Sequence, residues 1–163
     1  MSKLKLLPFS ALESTAQKHR QANHRIVTTN GCFDILHVGH LRYLQQAKQL
    51  GDILIVLINS DASVQGLKGP NRPILPEAER AELLAGLECV DYVSVFDQST
   101  PSESLKQIRP DIHVKGGDYD VSKLPEAPLL QEMGTRLAFI PFVEGQSTSS
   151  IIERITACHQ SVG

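Results

Sequence analysis

The sequence is poor in cysteine, carries no large excess of either charge and has no long apolar run. Its three cysteines, Cys32, Cys89 and Cys158, are an odd number with no CxxC pair. Neither a disulfide framework nor a zinc knuckle is expected, and a reducing, cytoplasmic setting is. Sixteen Lys and Arg stand against eighteen Asp and Glu, a formal net charge of −2. The chain as a whole offers no basic field to a nucleic acid, so any site for a polyanion has to be local. The longest apolar run, residues 53–58, is far too short to span a bilayer. The N-terminus shows neither a sustained apolar stretch nor a small-residue cleavage pattern, so no signal peptide is expected. No internal repeat or linker is visible in the 163 residues, and 41 % of them are hydrophobic. One globular domain with a buried core is expected over residues 1–163, with a helical extension in 1–24 and the core in 25–156.

What is present alternates. Residues 9–23 are polar with Leu12 and Ala16 at helical spacing, and Ser10 with Glu13 reads as an N-cap pair. Residues 25–30 read as a short buried strand. Leu41, Leu44, Ala47 and Leu50 form a helical stripe that stops at Gly51. Residues 53–58 are continuously apolar, as in a strand covered on both faces. Two glycines and two prolines in residues 66–73 predict an irregular loop. A helix over 77–87, a strand over 92–96 and a helix over 101–108 follow, the last with Pro101 at its start and Pro110 past its end. Residues 112–114 form a strand, 124–133 a weak helix, 137–140 a last strand, and Ser147 and Thr148 cap a final helix. Alternation of this kind predicts an α/β, Rossmann-like open sheet of mainly five parallel strands with helices on both faces.

In such sheets ligands bind outside the C-terminal ends of the strands. Glycine or short polar residues cluster at four of those ends: residues 30–40, 59–61, 115–119 and 144–148. The first segment carries the chemistry. It has no GxGxxG fingerprint and no P-loop. It has His37 and His40 around Gly39 at the entrance of a helix, a spacing that sets both imidazoles on one side. The free N–H groups and positive dipole end of that helix favour an anion, and Gly31 and Gly39 let a ligand approach the backbone. Zinc is not favoured, since no Cys or His cluster supplies a third strong ligand. Cys32 reads as a small strand-end hydrophobe rather than a nucleophile.

The segment Gly31, Cys32, Phe33, Asp34 resembles the GxFD turn of the cytidylyltransferase-like nucleotidyltransferases, and His37 to His40 resembles their HxGH motif. The resemblance continues in register from about Arg25 to Arg154. The stretches 68–73, 114–119 and 141–145 narrow it to the adenylyltransferases that make ADP-heptose from D-glycero-β-D-manno-heptose 1-phosphate. In many bacteria that activity is the C-terminal half of a bifunctional protein with a sugar kinase in front. A chain of this length resembles a free-standing version or an excised domain.

The resemblance implies an enzyme with ATP as substrate, Mg2+, a sugar 1-phosphate, no nucleic acid, no membrane and a homodimer. It implies that His37, His40 and Lys68 are catalytic. It places Gly31, Cys32, Phe33, Asp34, Gly39, Arg80, Lys115, Gly116, Asp118, Ser147 and Thr148 at the nucleotide, and Arg72 and Glu144 at the second substrate. Asp34 either holds the turn through backbone N–H groups or helps to hold Mg2+ on the phosphates. No protein metal site is expected. Lys68 and Arg72 have no carboxylate inside their own loop and suit a mobile clamp. The CTP-using branch carries an arginine where this chain has Phe142 and an extra acidic residue where it has Gly117, so ATP is the expected nucleotide. Two alternatives stay open on the sequence: a cytidylyltransferase for a phosphorylated alcohol, and a non-catalytic nucleotide-binding module on the same fold.

Overall fold

The structure is a computed structural model that describes residues 2–117, 124–141 and 147–160. Five parallel strands form one sheet: β1 (Ile26–Gly31), β2 (Ile53–Asn59), β3 (Tyr92–Phe96), β4 (Ile112–Gly116) and β5 (Arg136–Ile140). Their spatial order is β3-β2-β1-β4-β5. The helices are α1 (Leu12–Gln21), α2 (Val38–Lys48), α3 (Asp61–Lys68), α4 (Glu77–Ala85), α5 (Ser102–Ile108), α6 (Ala127–Glu132) and α7 (Thr148–Gln160).

The apolar run 53–58 of β2 explains the layering. Leu54, Val56 and Ile58 face Leu44 and Ala47 of α2 and Ala81, Leu84 and Ala85 of α4. Ile53, Ile55 and Leu57 face Leu12 and Ala16 of α1, Leu105 and Ile108 of α5, and Leu130 of α6. The six apolar β2 side chains are all buried, contributing on the order of 10 kcal/mol of transfer free energy. Amides at the starts of the central strands find carboxylates: Ile26 N–H donates to Asp111 Oδ2 and Leu54 N–H to Asp91 Oδ2, each at 2.7 Å. The turn from α2 into β2 needs glycine, because a Cβ on Gly51 would lie 2.6 Å from Val27 Cγ2. The expected five-stranded parallel sheet with helices on both faces is the fold observed.

Two local expectations are corrected. Ser10 does not cap α1. A 3-10 turn, Phe9–Ala11, leads into that helix, and no side chain caps it at Ala11. Residues 66–68 are not loop but the end of α3. Ser60 caps this helix by accepting from Ser63 N–H at 3.3 Å, and Val64 is buried beneath it. A cap is worth about 1 kcal/mol, enough with that burial to offset a mid-helix Gly66. The helix stops at Gly69, whose φ of 95° is open to glycine.

Candidate active site

The strand order reverses between β1 and β4, so a crevice opens above their C-terminal ends. A cleft of about 800 Å³ lies there. The turn after β1 supplies Gly31, Cys32, Phe33 and Asp34, and the start of α2 supplies His37, Gly39 and His40. Lys68 comes from the end of α3 and Arg72 from the segment after it. β4 supplies Lys115 and Gly116, and the start of α7 supplies Ser147 and Thr148. Thus residues far apart in sequence converge on one cavity.

The histidines are held by the helix they open. His37 is the N-cap of α2, and its Nδ1 accepts from His40 N–H at 3.4 Å. That acceptor role leaves the ring proton on Nε2, a donor. The two imidazoles stack with centroids 3.8 Å apart, and Phe33 lies against His40 at 5.1 Å. Burial holds His37 below the usual histidine range. Burial and then the adjacent His37 push His40 down to about 4. Both rings are therefore neutral at pH 7 and act as hydrogen-bond donors rather than cations. The first turn of α2 adds Val38 and Gly39 N–H groups that have no intrahelical acceptor.

Asp34 is tied up by protein. Its Oδ1 accepts from Ile74 N–H at 2.8 Å and Leu75 N–H at 2.9 Å, and its Oδ2 from Arg72 Nε at 2.6 Å. Burial pushes this carboxyl up, but the two amides and the guanidinium outweigh it, and the net shift is downward. Asp34 thus holds the segment after α3 rather than its own turn. Among the described residues it is the one carboxylate lining the cleft, and no group of three or more His, Cys, Asp or Glu is placed to hold a metal. The described donors do not fit a resident Mg2+ ion.

The remaining cations divide. Lys68 is exposed and, among the described residues, has no ion pair. Arg72, expected to be unpaired, is salt-bridged to Asp34. Arg80, expected at the nucleotide, is the most deeply placed. It is fully buried behind the cleft, not on its lining, and its guanidinium donates to the Cys32 carbonyl at 2.6 Å, Asp61 Oδ1 at 2.8 Å and the Leu75 carbonyl at 3.0 Å. It braces the turn after β1. Burial raises the Cys32 thiol, so it is protonated at neutral pH, in line with a hydrophobe's role.

At the last helix, Ser147 Oγ accepts from Ser150 N–H at 3.0 Å, a cap on the α7 start. Gly117 has φ 94°, a conformation that an acidic residue adopts only with strain. Asp118, Phe142 and Glu144 lie outside the described residues. Tyr43, Asn30 and Asn59 are among the lining residues to which the sequence assigned no role. Tyr43 sits one turn beyond His40 on the same helix face, and its hydroxyl lies 2.6 Å from Thr29 Oγ1. Asn59 is the polar end of an apolar strand and Asn30 lies next to the end of β1, a signal that was legible.

A family profile described as cytidylyltransferase-like matches residues 28–154. The chain belongs to the cytidylyltransferase-like family. It is 50 % identical over 145 residues, 89 % of this chain, to the bifunctional protein HldE of Syntrophotalea carbinolica. It is 51 % identical over 150 residues, 92 % of this chain, to the bifunctional protein HldE of a Nitratiruptor species. The chain spans only 30 % and 32 % of those two relatives' lengths. A solved lipopolysaccharide core biosynthesis protein from Thermoplasma volcanium superposes with a TM-score of 0.61 at 28 % identity, covering 76 % of this chain and 99 % of that one. Among the described residues no helix is long and apolar enough to cross a membrane.

Proposed function

We propose that this family member is an adenylyltransferase that moves AMP from ATP to D-glycero-β-D-manno-heptose 1-phosphate, giving ADP-heptose and pyrophosphate. The observation that carries the proposal is the stacked, neutral His37–His40 pair at the open N-terminus of α2, facing a cleft that also holds Lys68. The choice of sugar is supported by the matched relatives, two named bifunctional and one named for lipopolysaccharide core biosynthesis.

The chemistry needs no strong base. The attacking group is a phosphate oxygen, already ionised at neutral pH. What it needs is alignment of two polyanions and stabilisation of charge as it develops. His37 and His40 donate to the transferring α-phosphate, and the α2 amides add further donors. Being neutral, the rings carry no acidic imidazolium proton that could protonate the attacking oxygen. Lys68 meets the leaving pyrophosphate. Arg72 meets the sugar phosphate after exchanging its bond to Asp34, and Glu144 contacts the sugar. The Ser147 cap and Thr148 present the α7 start to phosphate. Gly116, Lys115 and Asp118 border the nucleoside. Mg2+ enters with the triphosphate as part of the Mg–ATP substrate. The protein is proposed to work in the cytoplasm as a homodimer, which fractionation and light scattering test. Pyrophosphate release on mixing ATP with heptose 1-phosphate tests the activity itself.

A further inference from the structure

Behind the nucleoside side of the cleft lies a buried polar chain that the catalytic roles leave unexplained. His113 and Lys115 alternate onto one face of β4, and Thr28 and Asn30 onto the same face of β1, with Thr28 in register with His113. That face is otherwise apolar, covered by Leu105 of α5 and Leu130 of α6. Into it Glu126, the residue before α6, extends a side chain that is 3 % exposed. Its Oε1 lies 2.8 Å from Lys115 Nζ and 3.8 Å from His113 Nε2. Lys115 Nζ also donates to Asn30 Oδ1 at 2.9 Å, and Thr28 Oγ1 meets His113 Nδ1 at 2.8 Å. Only Asn30 and Lys115 of this chain reach the cleft.

A carboxylate buried in an apolar layer costs several kcal/mol in lost hydration. Its compensation here is specific. Burial pushes the Glu126 carboxyl up, but His113 and Lys115 outweigh this and hold it at about 2. Burial pushes the His113 imidazole down, so His113 is neutral and the charge on Glu126 balances Lys115. The His113 Nδ1 is engaged by the Thr28 hydroxyl, and its Nε2 faces Glu126. The Lys115 ammonium is held between Glu126 and Asn30, and the Lys115–Glu126 pair carries no net charge toward phosphate.

We propose that Glu126, backed by His113, is a positioning residue for nucleotide binding: it pins the Lys115 ammonium against Asn30 so that Lys115 serves the nucleoside as a fixed donor rather than the phosphates as a cation. The proposal rests on the reading of the cleft as a nucleotide site. It assigns the phosphates to Lys68 and the α2 start. Without Glu126, the Lys115 ammonium loses its counter-charge and its direction together.

The test is Mg–ATP affinity by calorimetry on the whole chain for the wild type, Glu126→Gln, Lys115→Met and the double variant. Each single change is expected to weaken binding by about five- to tenfold, and the double no more than the worse single, since the two residues act as one unit. For Glu126→Gln the KM for ATP should rise by the same factor with kcat within about twofold of wild type. A merely structural role would lower the melting temperature and leave both ratios alone. Should the amide variant not fold, Glu126→Asp keeps the charge, withdraws it by one methylene and is expected to raise KM in the same way. Wild-type affinity in both Glu126 variants, or multiplicative losses in the double variant, would overturn the proposal. Absence of any ATP binding by the wild type would instead overturn the nucleotide reading, and this inference with it.

Discussion

His37 caps the helix that carries His40, and the two rings stack at 3.8 Å, so His37 fixes the neighbouring ring and, after burial, helps to keep it uncharged. Nearness of a second imidazole and burial both disfavour a charge on His40. The pair is thus fixed as a neutral donor unit at a helix N-terminus, the place where an anion is most readily held.

Removing either ring should show this. His37→Ala and His40→Ala are each expected to lower kcat by roughly 100-fold or more, a few kcal/mol of transition-state stabilisation. Mg–ATP binding should weaken much less. His37→Ala should also cost about 1 kcal/mol of stability as a lost cap. His37→Asn, which caps but lacks the Nε2 donor, should recover that stability and not the turnover. Steady-state rates and urea melts on the three variants separate the two roles.

The protonation of His40 gives a stability window. Its folded value, about 4, lies below the ordinary 6.5. Between those values the unfolded chain binds more protons than the folded one, so stability rises with pH. The contribution is full above pH 6.5 and is lost as pH falls toward 4. Melting temperatures measured across this range should drop toward acid in the wild type and drop less in His40→Gln. Equal slopes in the two proteins would remove the buried neutral histidine as the cause.

Asp34 holds the segment after α3 by two amides and one guanidinium. Asp34→Asn leaves the Arg72 cation without its partner and turns an amide donor toward other donors. A loss of about 2–4 kcal/mol is expected, because breaking one side of a buried pair strands the other. Urea denaturation measures it. A loss below about 0.5 kcal/mol, the range of an ordinary surface change, would contradict the tether.

Lys68 is the opposite case, exposed and unpaired among the described residues. Lys68→Ala should leave the melting temperature unchanged and lower kcat by about tenfold or more, since its charge is used only when phosphates are present. Full activity in this variant would remove it from the reaction.

How much of this was legible in the sequence follows from how local each signal is. The unbroken apolar run of β2 and the His37–Gly39–His40 spacing are local, and both pointed to the strand and to the helix entrance found. Helix α3 was hidden because Gly66 and Gly69 with two prolines fall in one short window, while its cap, Ser60, lies before that window. The burial of Arg80 was hidden because nothing near it in sequence shows that the carbonyl of Cys32, 48 residues away, would accept its hydrogen bond. Glu126 gave no signal at all. Its meaning depends on Lys115 and His113 meeting it across a sheet face, a contact made only by the tertiary fold.

Pyrophosphate release with heptose 1-phosphate and either ATP or CTP tests the central claim most directly. Gly117, at φ 94°, stands where the CTP-using branch carries an acidic residue, and Phe142 stands where that branch carries an arginine. Rapid release with ATP, with ADP-heptose as the co-product and far slower release with CTP, is the predicted result. Preference for CTP, or no release with either nucleotide, would contradict the assignment.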